Sequence, residues 1–181
     1  MALTLDESAR LAGGHCWLEQ RLFELLGGWV EPTPEPAAKL LFDRHSGHHA
    51  WRAGQWWDRL PVLDDVDRLS LVTADPASGQ EVLQALAAAP ATVGRLAGAY
   101  RFALPRLWTR YARHLSLTTP VSDSSSIRTL RMAMADVEAD WRDGEALLQQ
   151  VLREPGLVRA AAETVAGLEA IWVSGGEERR G

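Results

Sequence analysis

Four long segments of this chain repeat apolar residues every three or four positions, and prolines or glycine pairs separate them. That spacing places the apolar side chains on one face of a helix, so each segment is predicted to be amphipathic and helical. The four predicted helices lie near residues 5–28, 36–59, 91–116 and 125–153. Shorter helical patterns occupy 76–88 and 157–173, and Pro105 is expected to kink the third long helix because it has no N–H to donate. The sequence therefore predicts an all-α fold.

The connection between the second and third long helices is much longer than the others, and residues 62–73 are interpreted as a crossover loop. Two helices, a crossover and two more helices are typical of an up-down four-helix bundle with one long connection. A chain of 181 residues fits a single domain, predicted here over 1–175. The remaining residues, 176–181, are expected to form a flexible polar tail.

Composition excludes several classes of protein. The chain has 46% hydrophobic and 24% charged residues and no apolar run long enough to span a bilayer, so a cytoplasmic protein without membrane contact is expected. Its net charge of -5 argues against a nucleic-acid surface, for which the arginines of the third helix are the sole support. Cys16 is the only cysteine, which excludes an internal disulfide.

Three of the five histidines lie within one predicted helix, the second. His45 and His48 are three positions apart and His45 and His49 are four apart, so either pair projects from one helical face. A bundle that binds a metal presents imidazoles in this way, although histidine clusters are also structural or surface features. The sequence leaves open which register faces inward.

Three carboxylates are candidates to meet these imidazoles. Glu19 lies inside the apolar stripe of the first helix, and a buried carboxylate needs a partner, either an arginine from a neighbouring helix or a metal ion. Asp136 and Asp140 lie four positions apart beside the apolar stripe of the last long helix.

Aromatic residues are expected to fill the centre of the bundle. Tyr100 and Tyr111 fall on the inward face of the third long helix. Four tryptophans are predicted to be mostly buried: Trp17, Trp51, Trp56 and Trp141.

Short motifs resemble those of the ferritin-like superfamily. His48-His-Ala-Trp-Arg resembles the second-helix segment of that superfamily, and Trp17-Leu-Glu-Gln-Arg-Leu-Phe-Glu resembles the first helix, which contributes a metal-binding glutamate. Asp136-Val-Glu-Ala-Asp-Trp is similar to a degraded fourth helix. The resemblance implies a ferritin-like bundle with a metal centre between its helices.

The chain departs from the di-iron pattern of that superfamily, which has glutamates on helices one and three and Glu-x-x-His on helices two and four. The second-helix glutamate is replaced, the third helix carries no carboxylate and the fourth carries no histidine. Two histidines and one carboxylate would instead form a facial triad for a mononuclear iron or manganese ion. The candidate ligands are Glu19, His45, His48, His49, Asp136 and Asp140.

Two functions follow as hypotheses. The first is a ferritin-like metal-dependent oxidoreductase, a non-haem iron or manganese oxidase or oxygenase that activates oxygen toward a small organic substrate in a tryptophan-lined cavity. The second is a metal-free ferritin-like module without catalytic activity, which binds a second copy of itself or another protein partner.

Overall fold

The computed structural model describes residues 3–62, 64, 66–74, 79–121 and 123–178, and the fold is all-α. The predicted helices are confirmed with boundaries that differ by a few residues, except that a π-helical segment divides the third long one. Residues 76–78, where the predicted helix 76–88 begins, lie outside the described residues. The elements in chain order are α1 (Leu5–Val30), α2 (Pro36–Trp57), a 3₁₀ turn (Arg68–Leu71), α3 (Gln80–Ala87), α4 (Ala91–Ala97), a π-helical segment (Gly98–Ala103), α5 (Leu104–Leu117), α6 (Ser124–Val151) and α7 (Pro155–Glu178). Among the described residues, no helix combines the length and apolar character that a membrane span requires.

Local sequence explains where the first two helices begin and end. Thr4 and Glu7 form a capping box: the Thr4 hydroxyl accepts from the Glu7 amide, and the Glu7 carboxylate accepts from the Thr4 amide. Pro36 occupies the first turn of α2, where a missing N–H costs no hydrogen bond. Helix α1 continues through Gly27 and Gly28 to Val30, two residues beyond its predicted end. Gly27 allows a close approach to α2, since a Cβ there would lie 3.0 Å from Ser46 Oγ.

The kink expected at Pro105 takes the form of a wider helical turn. Helix α4 passes into the π-helical segment Gly98–Ala103 before α5 begins at Leu104, one residue before the proline. An Arg106 side-chain nitrogen donates to the Phe102 carbonyl at 3.3 Å, which satisfies one backbone acceptor in this interrupted stretch.

The helices pack in pairs. Helix α1 lies along α2, α5 packs on α6, and α2 contacts α6 across the centre. Helix α7 covers α4 and the π-helical segment and also contacts α3. It extends to Glu178, beyond the predicted end at 173, so only 179–181 of the predicted tail lie outside the described residues. The buried core lies between α1, α2, α5 and α6 and continues into α3, α4, the π-helical segment and α7.

Helix α2 is buried along a single face, although its apolar residues are spread more widely round the helix. Its buried residues recur at three- and four-residue spacing, and they are Ala38, Leu41, Phe42, His45, Ser46, His49, Arg52, Ala53 and Trp56. The broad apolar pattern of its sequence is misleading because Leu40 and Trp51 point to solvent.

The tryptophan prediction is therefore correct only in part. Trp56 is fully buried, as predicted, but the prediction for Trp51 is wrong because that side chain is 47% exposed. Trp17 and Trp141 are half-buried. Both tyrosines are fully buried, as predicted.

Candidate metal site

A buried arginine lies at the centre of the predicted ligands. Arg52 is fully buried on α2, and its Nε donates to Glu19 Oε1 at 2.9 Å. Its Nη1 donates to Asp140 Oδ2 at 2.9 Å and also to Asp136 Oδ2. The three carboxylates predicted as ligands are thus brought together around one guanidinium, and Glu19 has the arginine partner that the sequence left as one of two alternatives.

Glu19 is held as a carboxylate by a complete set of donors. Tyr111 donates its hydroxyl proton to Glu19 Oε1, and the Trp56 indole donates to the Tyr111 oxygen at 3.0 Å. Burial alone would raise the pKa of Glu19, but Arg52, His49 and Tyr111 outweigh burial and leave that pKa lowered. Glu19 is therefore ionised at neutral pH and committed to these partners.

His49 is a buried partner of Glu19. Its Nδ1 contacts Glu19 Oε2, and burial lowers the pKa of the imidazole in spite of that carboxylate. With its proton on Nδ1, a neutral His49 donates to Glu19 and leaves Nε2 as an acceptor. A proton on Nε2 would instead leave Nδ1 to accept from Arg52 Nη2, which lies 2.9 Å away. That Nε2 is buried and has no hydrogen-bond partner among the described residues.

The other two histidines of α2 meet Asp140. His48 Nδ1 lies 2.6 Å from Asp140 Oδ1, and His45 Nε2 lies 3.4 Å from the same oxygen. The ligand atoms of these three residues all lie within 4.8 Å of one another. His45 is fully buried and its Nε2 has no well-aligned hydrogen-bond partner among the described residues, whereas His48 is 40% exposed.

Tyr100 fixes the orientation of His45. Its hydroxyl lies 2.8 Å from His45 Nδ1, and its ring packs into a space that only a glycine at position 144 leaves open. A Cβ at Gly144 would lie 2.1 to 2.4 Å from atoms of the Tyr100 ring. Tyr100 belongs to the π-helical segment, a kind of irregularity that frequently occurs at functional sites.

The carboxylates around Arg52 carry more negative charge than the guanidinium neutralises. Glu19, Asp136 and Asp140 contribute three formal negative charges, and Arg52 contributes one positive charge. Burial lowers the pKa of His45 to about 4, although Asp140 opposes the shift, so His45 is neutral at pH 7. Two formal negative charges remain, and these would be balanced by a divalent cation.

A second pair of histidines lies elsewhere in the core. Arg110 Nε donates to His15 Nδ1 at 3.3 Å, and His15 Nε2 lies 3.0 Å from His114 Nδ1. Because arginine can only donate, a neutral His15 carries its proton on Nε2 and donates it to His114. No carboxylate bonds to either imidazole among the residues that the structure describes.

The structure divides the six predicted ligands into two groups. His45, His48 and Asp140 form a compact cluster, whereas Glu19, His49 and Asp136 belong to the network of Arg52. The sequence interpretation missed Arg52 and the pairing of Tyr100 with His45. The position of Arg52 was readable, since it lies three residues after His49 on the stripe that begins at Ala38.

Comparison of the chain with protein-family models, curated proteins and solved structures found no match.

Proposed function

We propose that this protein is a ferritin-like metal-dependent oxidoreductase with an altered, mononuclear site in which His45, His48 and Asp140 bind iron or manganese. The observation that supports it is the convergence of two imidazoles and one carboxylate within 4.8 Å, with the buried Nε2 of His45 lacking an aligned partner. Two histidines and a carboxylate suit Fe²⁺ and leave coordination positions open.

The residues around the cluster fit a bound divalent cation. His45 would bind through Nε2, and its Nδ1–H would then donate to the Tyr100 oxygen. A tyrosine hydroxyl can both donate and accept, so Tyr100 satisfies His45 in either tautomer. His48 is half-exposed, so a proton moved from its Nδ1 to its Nε2 can be satisfied by water.

Each neighbouring group has a distinct role in this proposal. A bound ion with open positions would supply oxygen binding and the transfer of electrons from a small organic substrate to that oxygen. Arg52 holds the second oxygen of Asp140, which leaves Oδ1 directed at the two histidines. Glu19 and Asp136 anchor Arg52 and would not be ligands.

One observation favours a metal-free binding or interaction module as the second candidate. Arg52 contacts all three carboxylates, so a guanidinium already provides positive charge at the centre of the helices. In that case the histidines are structural, and the protein would act by binding a partner.

Metal titration distinguishes the two functions. Protein purified without chelators is analysed for metals and then titrated with Fe²⁺ under anaerobic conditions and with Mn²⁺. We expect about one equivalent to bind in the parent protein and none in His48→Ala, which removes a half-exposed ligand and should leave the fold intact. Asp140→Asn should also abolish binding, with circular dichroism confirming that the helices persist.

The matched control is His114→Gln, which removes a buried imidazole outside the cluster and should retain the bound equivalent. If no metal is found and none can be added, the oxidoreductase proposal fails and the metal-free module takes its place. If metal binds but no oxygen is consumed with reductant and candidate substrates, the site is a metal site without oxidase activity.

A further inference from the structure

A cavity of about 470 Å³ lies between α1, α3, α5 and α7, and His45, His48 and Asp140 are not among its lining residues. Its volume is within the range of small-molecule sites. The inner wall is apolar and buried, with Leu22, Leu86, Phe102 and Leu107 contributing to it. The interior therefore suits a hydrocarbon chain, because the transfer of such a chain out of water is favourable.

One side of the cavity is positively charged. Arg106, Arg110 and Arg113 line it from α5 at spacings of four and three residues, so they project from one helical face. No aspartate or glutamate is among the described residues that line the cavity.

Two of the three guanidinium groups are held by the fold. Arg106 is ion-paired with Glu169, and its guanidinium carbon lies 3.8 Å from the centroid of the Phe102 ring. Arg110 donates to His15, as described above. Arg113 is exposed, and no described residue forms an ion pair with it. The cationic side is thus positioned by packing, and Arg113 remains available to a ligand.

We propose that this cavity binds an amphipathic carboxylate, a molecule with an aliphatic chain and one anionic end. The chain would lie between α1, α3 and α5 against the leucines, and the carboxylate would contact Arg113 beside Arg110. A guanidinium matches the geometry of a carboxylate and can bind it through two parallel hydrogen bonds. Charge selects the anionic class, because the exposed guanidinium of Arg113 would repel an ammonium group.

The test is calorimetric titration of the full chain with decanoate, and with decanol and acetate as comparison ligands. Decanoate should bind with one site, decanol more weakly, and acetate not measurably, since it has no chain to bury. Equal affinity for decanoate and decanol would overturn the anionic assignment. Absence of decanoate binding would overturn the proposal as a whole.

Two pairs of variants separate the charge from the cavity. Arg113→Gln should weaken decanoate binding roughly threefold to fivefold, because an exposed ion pair contributes modestly, and should leave decanol binding unchanged. Arg128→Gln, an exposed arginine of α6 that does not line the cavity, should have no effect.

Ala103→Phe should fill the cavity and abolish binding of both decanoate and decanol, whereas the exposed Ala135→Phe should not. Melting temperatures confirm that both variants fold. If Ala103→Phe binds decanoate like the parent, the ligand lies elsewhere and the proposal is wrong. A dimer that only Ala103→Phe disrupts, without decanoate binding in the parent, would show that a second copy fills the cavity.

Discussion

Two pairs of core histidines have opposite chemical surroundings. His45 and His48 face the carboxylate of Asp140, whereas His15 and His114 are oriented by the guanidinium of Arg110. A cation placed between His45 and His48 is attracted by Asp140. The same cation beside His15 would be repelled by Arg110.

The difference teaches that proximity alone does not make two histidines into candidate ligands. Burial lowers the pKa of His15 well below its usual value, and Arg110 and His114 lower it further. Burial also lowers the pKa of His45, but Asp140 acts in the opposite direction. Both imidazoles are neutral at pH 7, so the sign of the neighbouring charge decides which pair would attract a cation.

The largest expected loss of stability comes from removing Arg52, the cation that bonds Asp140 beside His45 and His48. Arg52→Met leaves Glu19 and Asp140 buried without their cationic partner, and we expect it to destabilise the fold by roughly 3–5 kcal/mol. Urea unfolding measures the change. Arg44→Ala is the control: its ion pair with Asp143 is exposed, so its loss should cost no more than about 1 kcal/mol. Similar losses for both variants would show that the buried network contributes little.

Acid should destabilise the fold through the second pair of histidines, His15 and His114. Burial lowers the pKa of His114 to about 4, with Asp123 opposing and Arg110 reinforcing the shift, and His15 lies in direct contact. In the unfolded chain the imidazole titrates near 6.5. Between these values only the unfolded state binds the proton. His114 alone should therefore lower the free energy of unfolding by roughly 3 kcal/mol as pH drops from about 6.5 to 4.

Unfolding free energies measured from pH 7 to pH 4.5 test this expectation. His114→Leu should show a smaller loss of stability over the same interval, because it removes one titrating group. If parent and variant lose stability in parallel, His114 is not a source of acid sensitivity.

A smaller effect is expected from disturbing Tyr100. Gly144→Ala places a methyl group against the Tyr100 ring, and we expect a loss of about 1–3 kcal/mol from overpacking. Because Tyr100 orients His45, Mn²⁺ affinity should fall as well, while the contact between His15 and His114 stays unchanged. Thermal unfolding and Mn²⁺ titration measure the two effects. Unaltered metal affinity would remove Tyr100 from the site.

The smallest expected effect is a gain. Gly47 is exposed in the interior of α2 between His45 and His48, and a Cβ there would meet no described neighbour within 4 Å. Gly47→Ala should stabilise the helix by about 1 kcal/mol, since alanine has the higher helix propensity. Metal affinity should not change. A loss of stability would reveal a contact that this position makes with a partner.

Sequence periodicity was sufficient for the helices and for the inward direction of Glu19, Tyr100 and Tyr111, but it left open which histidines of α2 face inward. Apolar residues at three- and four-residue spacing define a face, and capping residues and prolines define its ends. Residues at the edges of an apolar stripe were less predictable. Trp51 was predicted to be buried but is exposed, because hydrophobicity alone does not show which side of α2 the neighbouring helices cover.

The choice of partners depended on the tertiary structure. Spacing placed Glu19 on an inward face and Asp140 beside one, but it could not show that Arg52 lies between them, since residues from three helices meet only after those helices pack. The same is true of Tyr100, whose ring position depends on a glycine 44 residues away in sequence. Helical faces are local properties of a sequence, whereas the charge that an inward side chain meets is fixed by the rotation and register of its neighbouring helices.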